Sequence, residues 1–161
     1  MTPRAARIDD ATAIAAIYNE GIVDRTESRS AAQVARWFDG RDPIVVVEGS
    51  DGAVLGFAAS SSYRERACYA GIAEFSVYVG RRHRGRGAGR VAMAALVDAA
   101  TKAGLSKLVS RIFPENTASL ALMAHMGFRR VGIYRRHAKL DGQWRDCVIV
   151  ERLLGEAASD G

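Results

Sequence analysis

The sequence has 161 residues, enough for one domain with a sizeable core, and its 48% hydrophobic and 25% charged residues exclude a disordered chain. No apolar run reaches the ~18 residues of a membrane span, and no basic-then-apolar segment with a cleavage site opens the sequence. The excess of 23 basic over 18 acidic residues sits in residues 81–90, which hold five arginines and no acid; this disfavours a broad nucleic-acid-binding face and points to a local anion site.

Cys68 and Cys147 match neither a redox pair nor a zinc spacing, so reduced thiols in a cytoplasmic protein are expected. In chain order, a short strand is expected near residues 5–8. Asp9 or Asp10 then caps a helix with an apolar face of Ala13, Ile14, Ile17, Tyr18 and Ile22. The polar stretch 24–30 leads to a second helix around 31–38. Ile44–Glu48 reads as a strand, Gly49-Ser50-Asp51-Gly52 as a hairpin turn and 53–60 as the returning strand. A polar, aromatic loop covers 61–71.

Strand Ile72–Val79 runs into the arginine–glycine segment, and a long helix follows, stopped by Gly104. Then come a strand over 107–113, a helix over 117–126 capped by Asn116 and ended by Gly127, and strands over 128–134 and 144–153 joined through Asp141-Gly142. Hairpins and helix crossovers occur together, so the expected class is mixed α/β, a mixed sheet with helices on its faces. One domain is expected over 1–155, with a flexible tail over 156–161.

Strand, then Arg84-Gly85-Arg86-Gly87-Ala88-Gly89, then helix, is suited to holding a pyrophosphate. Glycines let the backbone approach, N–H groups point inward, and the helix N-terminus adds roughly half a positive charge. A Walker loop is excluded, because Arg90-Val91 stands where Lys-Ser/Thr is needed. A dinucleotide fingerprint is excluded by the two-residue spacing of Gly85, Gly87 and Gly89. A glycine-rich turn with a solvated basic face is the bland alternative. No two of His83, His125 and His137 share a ligand spacing, so no metal site and no catalytic histidine is expected.

Arg84-x-x-Gly87-x-Gly89 after a strand, with Asn116-x-x-Ser119-x-x-Leu122 and Gly127-Phe128 later, resembles the GNAT N-acetyltransferase superfamily. Tyr18-Asn19, Tyr63-Arg64-x-Arg66 with Tyr69, Ala73-Glu74-x-Ser76-Val77-Tyr78-Val79, and Gly142-x-Trp144-x-Asp146 resemble its phosphinothricin N-acetyltransferase branch, with methionine sulfoximine and arsinothricin acetyltransferases. The resemblance implies a mostly antiparallel mixed sheet whose two parallel central strands, Ile72–Val79 and 107–113, splay apart around acetyl-CoA. It implies transfer of acetyl to the amino group of a small amino acid or analogue, a detoxifying role, and an enzyme whose relatives look dimeric.

The resemblance places the pyrophosphate on Arg84, Gly85, Arg86, Gly87, Ala88 and Gly89, and the pantetheine on the Val77 and Val79 backbone, Asn116 and Ser119. It places the amino acid on Arg64, Arg66 and Tyr69, and the general base on Glu74. An α-ammonium of pKa ~8 must lose a proton before attack, and a carboxylate accepts it if burial brings its pKa toward neutrality. Trp144 and Asp146 serve either the sheet or a dimer contact. Two positions depart from the branch. Met123 stands where a tyrosine or histidine acts as possible general acid, leaving water or Tyr134 for that task. Arg29, in the segment 24–29, stands where an aromatic enters the pocket. A protein N-terminal acetyltransferase and a non-catalytic CoA-binding module are the alternatives.

Overall fold

The computed structural model describes residues 1–22 and 28–159. Among the described residues seven strands form one sheet: β1 (Thr2–Ala5), β2 (Ile44–Glu48), β3 (Val54–Ser62), β4 (Ile72–Val79), β5 (Lys107–Ile112), β6 (Arg129–Leu140) and β7 (Gln143–Leu153). Their order across the sheet is β1-β2-β3-β4-β5-β7-β6. Only β4 and β5 are parallel neighbours; every other pair is antiparallel. The helices are α1 (Ala11–Gly21), α2 (Ala31–Ala35), α3 (Ala88–Lys102), α4 (Thr117–His125) and α5 (Glu156–Ser159). Among the described residues no helix is long and apolar enough to cross a membrane.

The central strands carry apolar side chains on both faces because both faces are covered. Val45, Val47, Ala58, Ala73 and Phe75 join α3 and α4 residues such as Met93, Leu96 and Met123 in one core. Val46, Phe57 and Ala59 join Ile14, Ile17 and Val34 of α1 and α2 in the other. Ser30 and Gln33 cap α2 reciprocally: the Gln33 N–H donates to Ser30 Oγ and the Ser30 N–H to Gln33 Oε1.

Several element boundaries differ from the sequence reading. The first strand lies at 2–5, not 5–8, and Ile8–Asp10 form a 3-10 turn. Asp10 is buried and does not cap α1 through its side chain; its carboxylate takes two bonds from Arg4 and one from the Arg7 N–H. The second helix tightens after Ala35 into a 3-10 turn, Arg36–Asp39. Strand β6 continues past Tyr134 to Leu140 because bulges interrupt its alternation. Arg136 sits there at φ 47° and donates its N–H to Asp146 Oδ1 at 2.8 Å. Asp146 therefore stabilises the sheet, while Trp144 is exposed beneath the Lys139 ammonium. Residues 156–159, read as tail, form the turn of α5.

Candidate active site

Strands β4 and β5 pair over three positions, Ile72↔Lys107, Ala73↔Leu108 and Glu74↔Val109, and then part. At the next step the Phe75 carbonyl accepts from Ser110 Oγ at 2.8 Å instead of from a β5 amide. The Phe75 ring packs 5.1 Å from Phe128, in the same core as Leu120 and Met123 of α4. On its other side β4 stays paired with β3 as far as Gly56↔Val79. The Phe75 carbonyl points toward β5, so strand alternation aims the N–H and C=O groups of Val77 and Val79 into the opening as well.

The opening is a cleft of about 630 Å³ walled by Val77, Ser110, Asn116, Ser119, Met123 and Arg145. Asn116 caps α4 by accepting the Ser119 N–H at 3.1 Å. Beyond Val79 come a 3-10 turn, Arg81–His83, and then the glycine loop. Gly85 and Gly87 hold φ 77° and 88°, and Gly87 is the left-handed N-cap of α3. A side chain at either would meet no atom within 4 Å, so glycine is required by conformation and not by crowding. Arg84 and Arg86 are exposed, with Arg84 Nε 3.4 Å from the Val79 carbonyl. The α3 N-terminus adjoins α4: a Cβ at Gly89 would lie 3.2 Å from Leu122 Cδ2.

A second cavity, about 510 Å³, lies on the α1–α2 side and is walled by Arg29, Arg36, Trp37, Ser61 and Glu74. The two hollows share Tyr18, Phe75 and Ser76. Glu74 Oε1 accepts from Arg111 Nη2 at 2.7 Å, and Arg111 stands in the wall of the cleft. The Glu74 side chain is 34% exposed, less buried than the sequence reading required. Tyr78, packed against Tyr18 and Phe57, has its phenol pushed up to about 12 by burial.

Arg64 stacks on Tyr63 at 5.0 Å and Arg66 on Tyr69 at 6.0 Å, both exposed and outside the cavity wall. The cations in that wall are Arg29 and Arg36. Arg29 is held through its backbone, its N–H donating to Asn19 Oδ1 and its C=O accepting from Asn19 Nδ2, both at 2.8 Å. Its guanidinium lies 5.7 Å from the Tyr18 ring centre. Of the segment 24–29, residues 24–27 lie outside the described residues.

Arg36, Trp37, Arg111 and Arg145 were not anticipated. No motif marks them, although alternation along β5 puts Arg111 on the face of Glu74. Met123 is 2% exposed and carries no proton to donate. Tyr134 is exposed on β6 against His137, away from both hollows. Among the described residues no histidine lines either hollow, and no three His, Cys, Asp or Glu residues converge as metal ligands.

The Acetyltransferase (GNAT) family matches residues 13–128. An L-methionine sulfoximine/L-methionine sulfone acetyltransferase of Pseudomonas paraeruginosa is 32% identical over 97% of this chain and 96% of its own. A crystal structure of a GNAT superfamily phosphinothricin acetyltransferase from Sinorhizobium meliloti in complex with AcCoA superposes with a TM-score of 0.89. It is 29% identical, with 99% of this chain and 91% of that one covered. A ribosomal-protein-alanine N-acetyltransferase from Brucella melitensis superposes at 0.88, 28% identical, over 96% and 100% of the two chains.

Proposed function

The chain belongs to the GNAT family of acetyltransferases, and from that footing we propose direct transfer of the acetyl group of acetyl-CoA to the α-amino group of a small amino acid or analogue. The phosphinothricin, methionine sulfoximine and arsinothricin types are the substrates in view, and residues 1–155 act as one catalytic domain. The observation that carries this reading is the meeting of two hollows at Ser76, one opening where β4 and β5 part and the other walled by Glu74.

The donor side fits acetyl-CoA. Arg84, Gly85, Arg86, Gly87, Ala88 and Gly89 would hold the pyrophosphate, since exposed guanidinium forks flank an α-helix N-terminus whose first N–H groups have no intrahelical acceptor. The Val77 and Val79 backbone, with Asn116 and Ser119, would hold the pantetheine. Bound there, acetyl-CoA supplies a thioester with an electrophilic carbonyl carbon. An N–H of Val77 or Val79 would donate to its carbonyl oxygen as charge develops.

On the acceptor side, Glu74 takes the proton that the substrate ammonium must lose, the nitrogen lone pair forms the new C–N bond as the C–S bond breaks, and the second N–H proton released in forming the amide passes to the departing thiolate. A thiol of pKa ~8.5 leaves readily as thiolate without a proton from the protein, so Met123 is compatible with turnover. Arg64, Arg66 and Tyr69 form an outer rim: Arg64 is outside the wall yet within electrostatic reach of Glu74. The enzyme acts in the cytoplasm. A homodimer is supported by the exposed apolar side chains Val131, Ile133 and Trp144 on the β6–β7 hairpin.

Release of free thiol from acetyl-CoA tests the assignment, with phosphinothricin, methionine sulfoximine, common amino acids and peptides with free N-termini as acceptors. Turnover of amino acids or their analogues is expected. Turnover of peptides alone would transfer the assignment to protein N-termini. Binding of acetyl-CoA without turnover of any acceptor would make the domain a CoA-binding module.

A further inference from the structure

Arg111 belongs to no motif of the sequence, yet its Nη2 atom lies 2.7 Å from Glu74 Oε1 across the point where β4 and β5 part. Folding does not explain the pair. The two side chains are 51% and 34% exposed, and ion pairs so open to water add little stability. Its location is more informative. Glu74 stands in the wall of the smaller cavity and Arg111 in the wall of the cleft. The pair therefore spans the boundary between them, beside Ser76, where an attacking nitrogen and an acetyl carbon have to meet.

An α-amino acid carries the complementary pair, an ammonium and a carboxylate on one carbon atom. Laid against Glu74 and Arg111, the ammonium faces the carboxylate side chain and the substrate carboxylate faces the guanidinium. The guanidinium has five N–H donors in a planar fork, so it can hold two substrate oxygens while keeping a bond to Glu74. The other arginines are placed for different work. Arg29 and Arg36 line only the smaller cavity. Arg145 lines the cleft with its Nη1 toward Glu115 at 3.7 Å.

We propose that Arg111 binds the α-carboxylate of the acceptor, so that the site selects α-amino acids over amines lacking that group. The inference rests on the amino-acid acetyltransferase reading above and adds to it a residue that determines specificity. It makes Glu74 and Arg111 one recognition unit: the first reads and deprotonates the amine, and the second fixes the carbon that bears it.

The test compares the wild type with Arg111→Met and Arg111→Lys at saturating acetyl-CoA. Each amino acid that the wild type accepts is paired with its α-carboxamide and its decarboxylated amine. In Arg111→Met, kcat/KM for the amino acid relative to its carboxamide should fall roughly 10- to 100-fold, the loss of a charged hydrogen bond. The change should lie in KM for the amino acid, with KM for acetyl-CoA held, and Arg111→Lys should restore part of the ratio. An unchanged ratio in Arg111→Met overturns this inference and leaves the acetyltransferase reading standing. Wild-type turnover of amines at the expense of amino acids also overturns it. Absence of any wild-type turnover defeats both.

Discussion

Ser110 on β5 donates its hydroxyl hydrogen to the Phe75 carbonyl oxygen of β4 at 2.8 Å, one step beyond the last parallel pair, Glu74↔Val109. A side-chain hydroxyl thus occupies the place of the amide that would have kept the strands together. Ser110→Ala leaves a half-buried carbonyl without this partner, at a cost of about 1 kcal/mol. Thermal unfolding should show Tm lowered by about 3 °C, as expected for a chain of this size. KM for acetyl-CoA should rise at the same time, because the opening of the cleft is no longer fixed. A lowered Tm with unchanged KM would reduce Ser110 to a purely structural role.

Gly87 and Gly104 bracket α3 with nearly the same backbone, φ 88° and 85°, and at neither would a Cβ meet another atom within 4 Å. Alanine at either position costs about 1–2 kcal/mol of backbone strain. The two substitutions should therefore lower stability alike. Calorimetric titration with acetyl-CoA should separate them: Gly87→Ala should weaken binding about tenfold by turning the first N–H groups of α3, whereas Gly104→Ala should bind as the wild type does. Equal affinities would show that the loop is only a turn.

Glu74→Gln retains the shape of the side chain and a bond to Arg111 while removing the proton acceptor. A positioned general base contributes roughly 100-fold or more to rate, so kcat at neutral pH should fall by about that factor. Acetyl-CoA binding measured by calorimetry should be retained. A variant turning over at the wild-type rate would remove Glu74 from the chemistry.

Stability should fall at both ends of the pH scale for different reasons. The Arg4 guanidinium, hydrogen-bonded to Asp10, holds its carboxyl below the usual range, and Arg129, assisted by Lys107, does the same to Glu151. A carboxyl with a depressed folded-state pKa contributes stability above its unfolded value. That contribution is lost as the pH falls from ~4 through the depressed value. Tm should drop over that acid range, and Asp10→Asn should flatten the drop while costing roughly 2 kcal/mol at neutral pH. Tyr78 has the opposite sign: burial raises its phenol to about 12, so its contribution is complete below ~10 and is lost as pH rises from there toward 12. Tyr78→Phe should flatten the alkaline limb of the same Tm profile.

Ile44–Glu48 and Ile72–Val79 were legible as strands to the residue because a β-branched run bounded by turns leaves little choice of boundary. The Asn116 cap was legible for a related reason, since its bond to the Ser119 N–H is local in sequence. Strand β6 beyond Tyr134 was not: it is an edge with bulges, so neither burial nor alternation survives to mark it. In the wall of the smaller cavity, Glu74 and Arg29 were legible as pocket positions, and Arg36 and Trp37 were not. Arg29 enters through a backbone clamp on Asn19, ten residues away. Arg111 reaches Glu74 only because two parallel strands, 37 residues apart in sequence, lie side by side. Arg64 and Arg66 were legible from their motif, and each lies over an aromatic ring of its own loop.

Strand β4 faces its two hollows with different chemistry. Val77 lines the cleft, where strand alternation turns its main-chain groups toward β5, while Glu74 stands in the wall of the cavity next door. Main-chain groups are common to all residues, so mutation can rewrite the wall at Glu74, the proposed acceptor side, and leave the edge at Val77, the proposed donor side, intact. A scaffold divided in this way can drift from one amine to another in single steps, each intermediate still charged with the same acyl carrier.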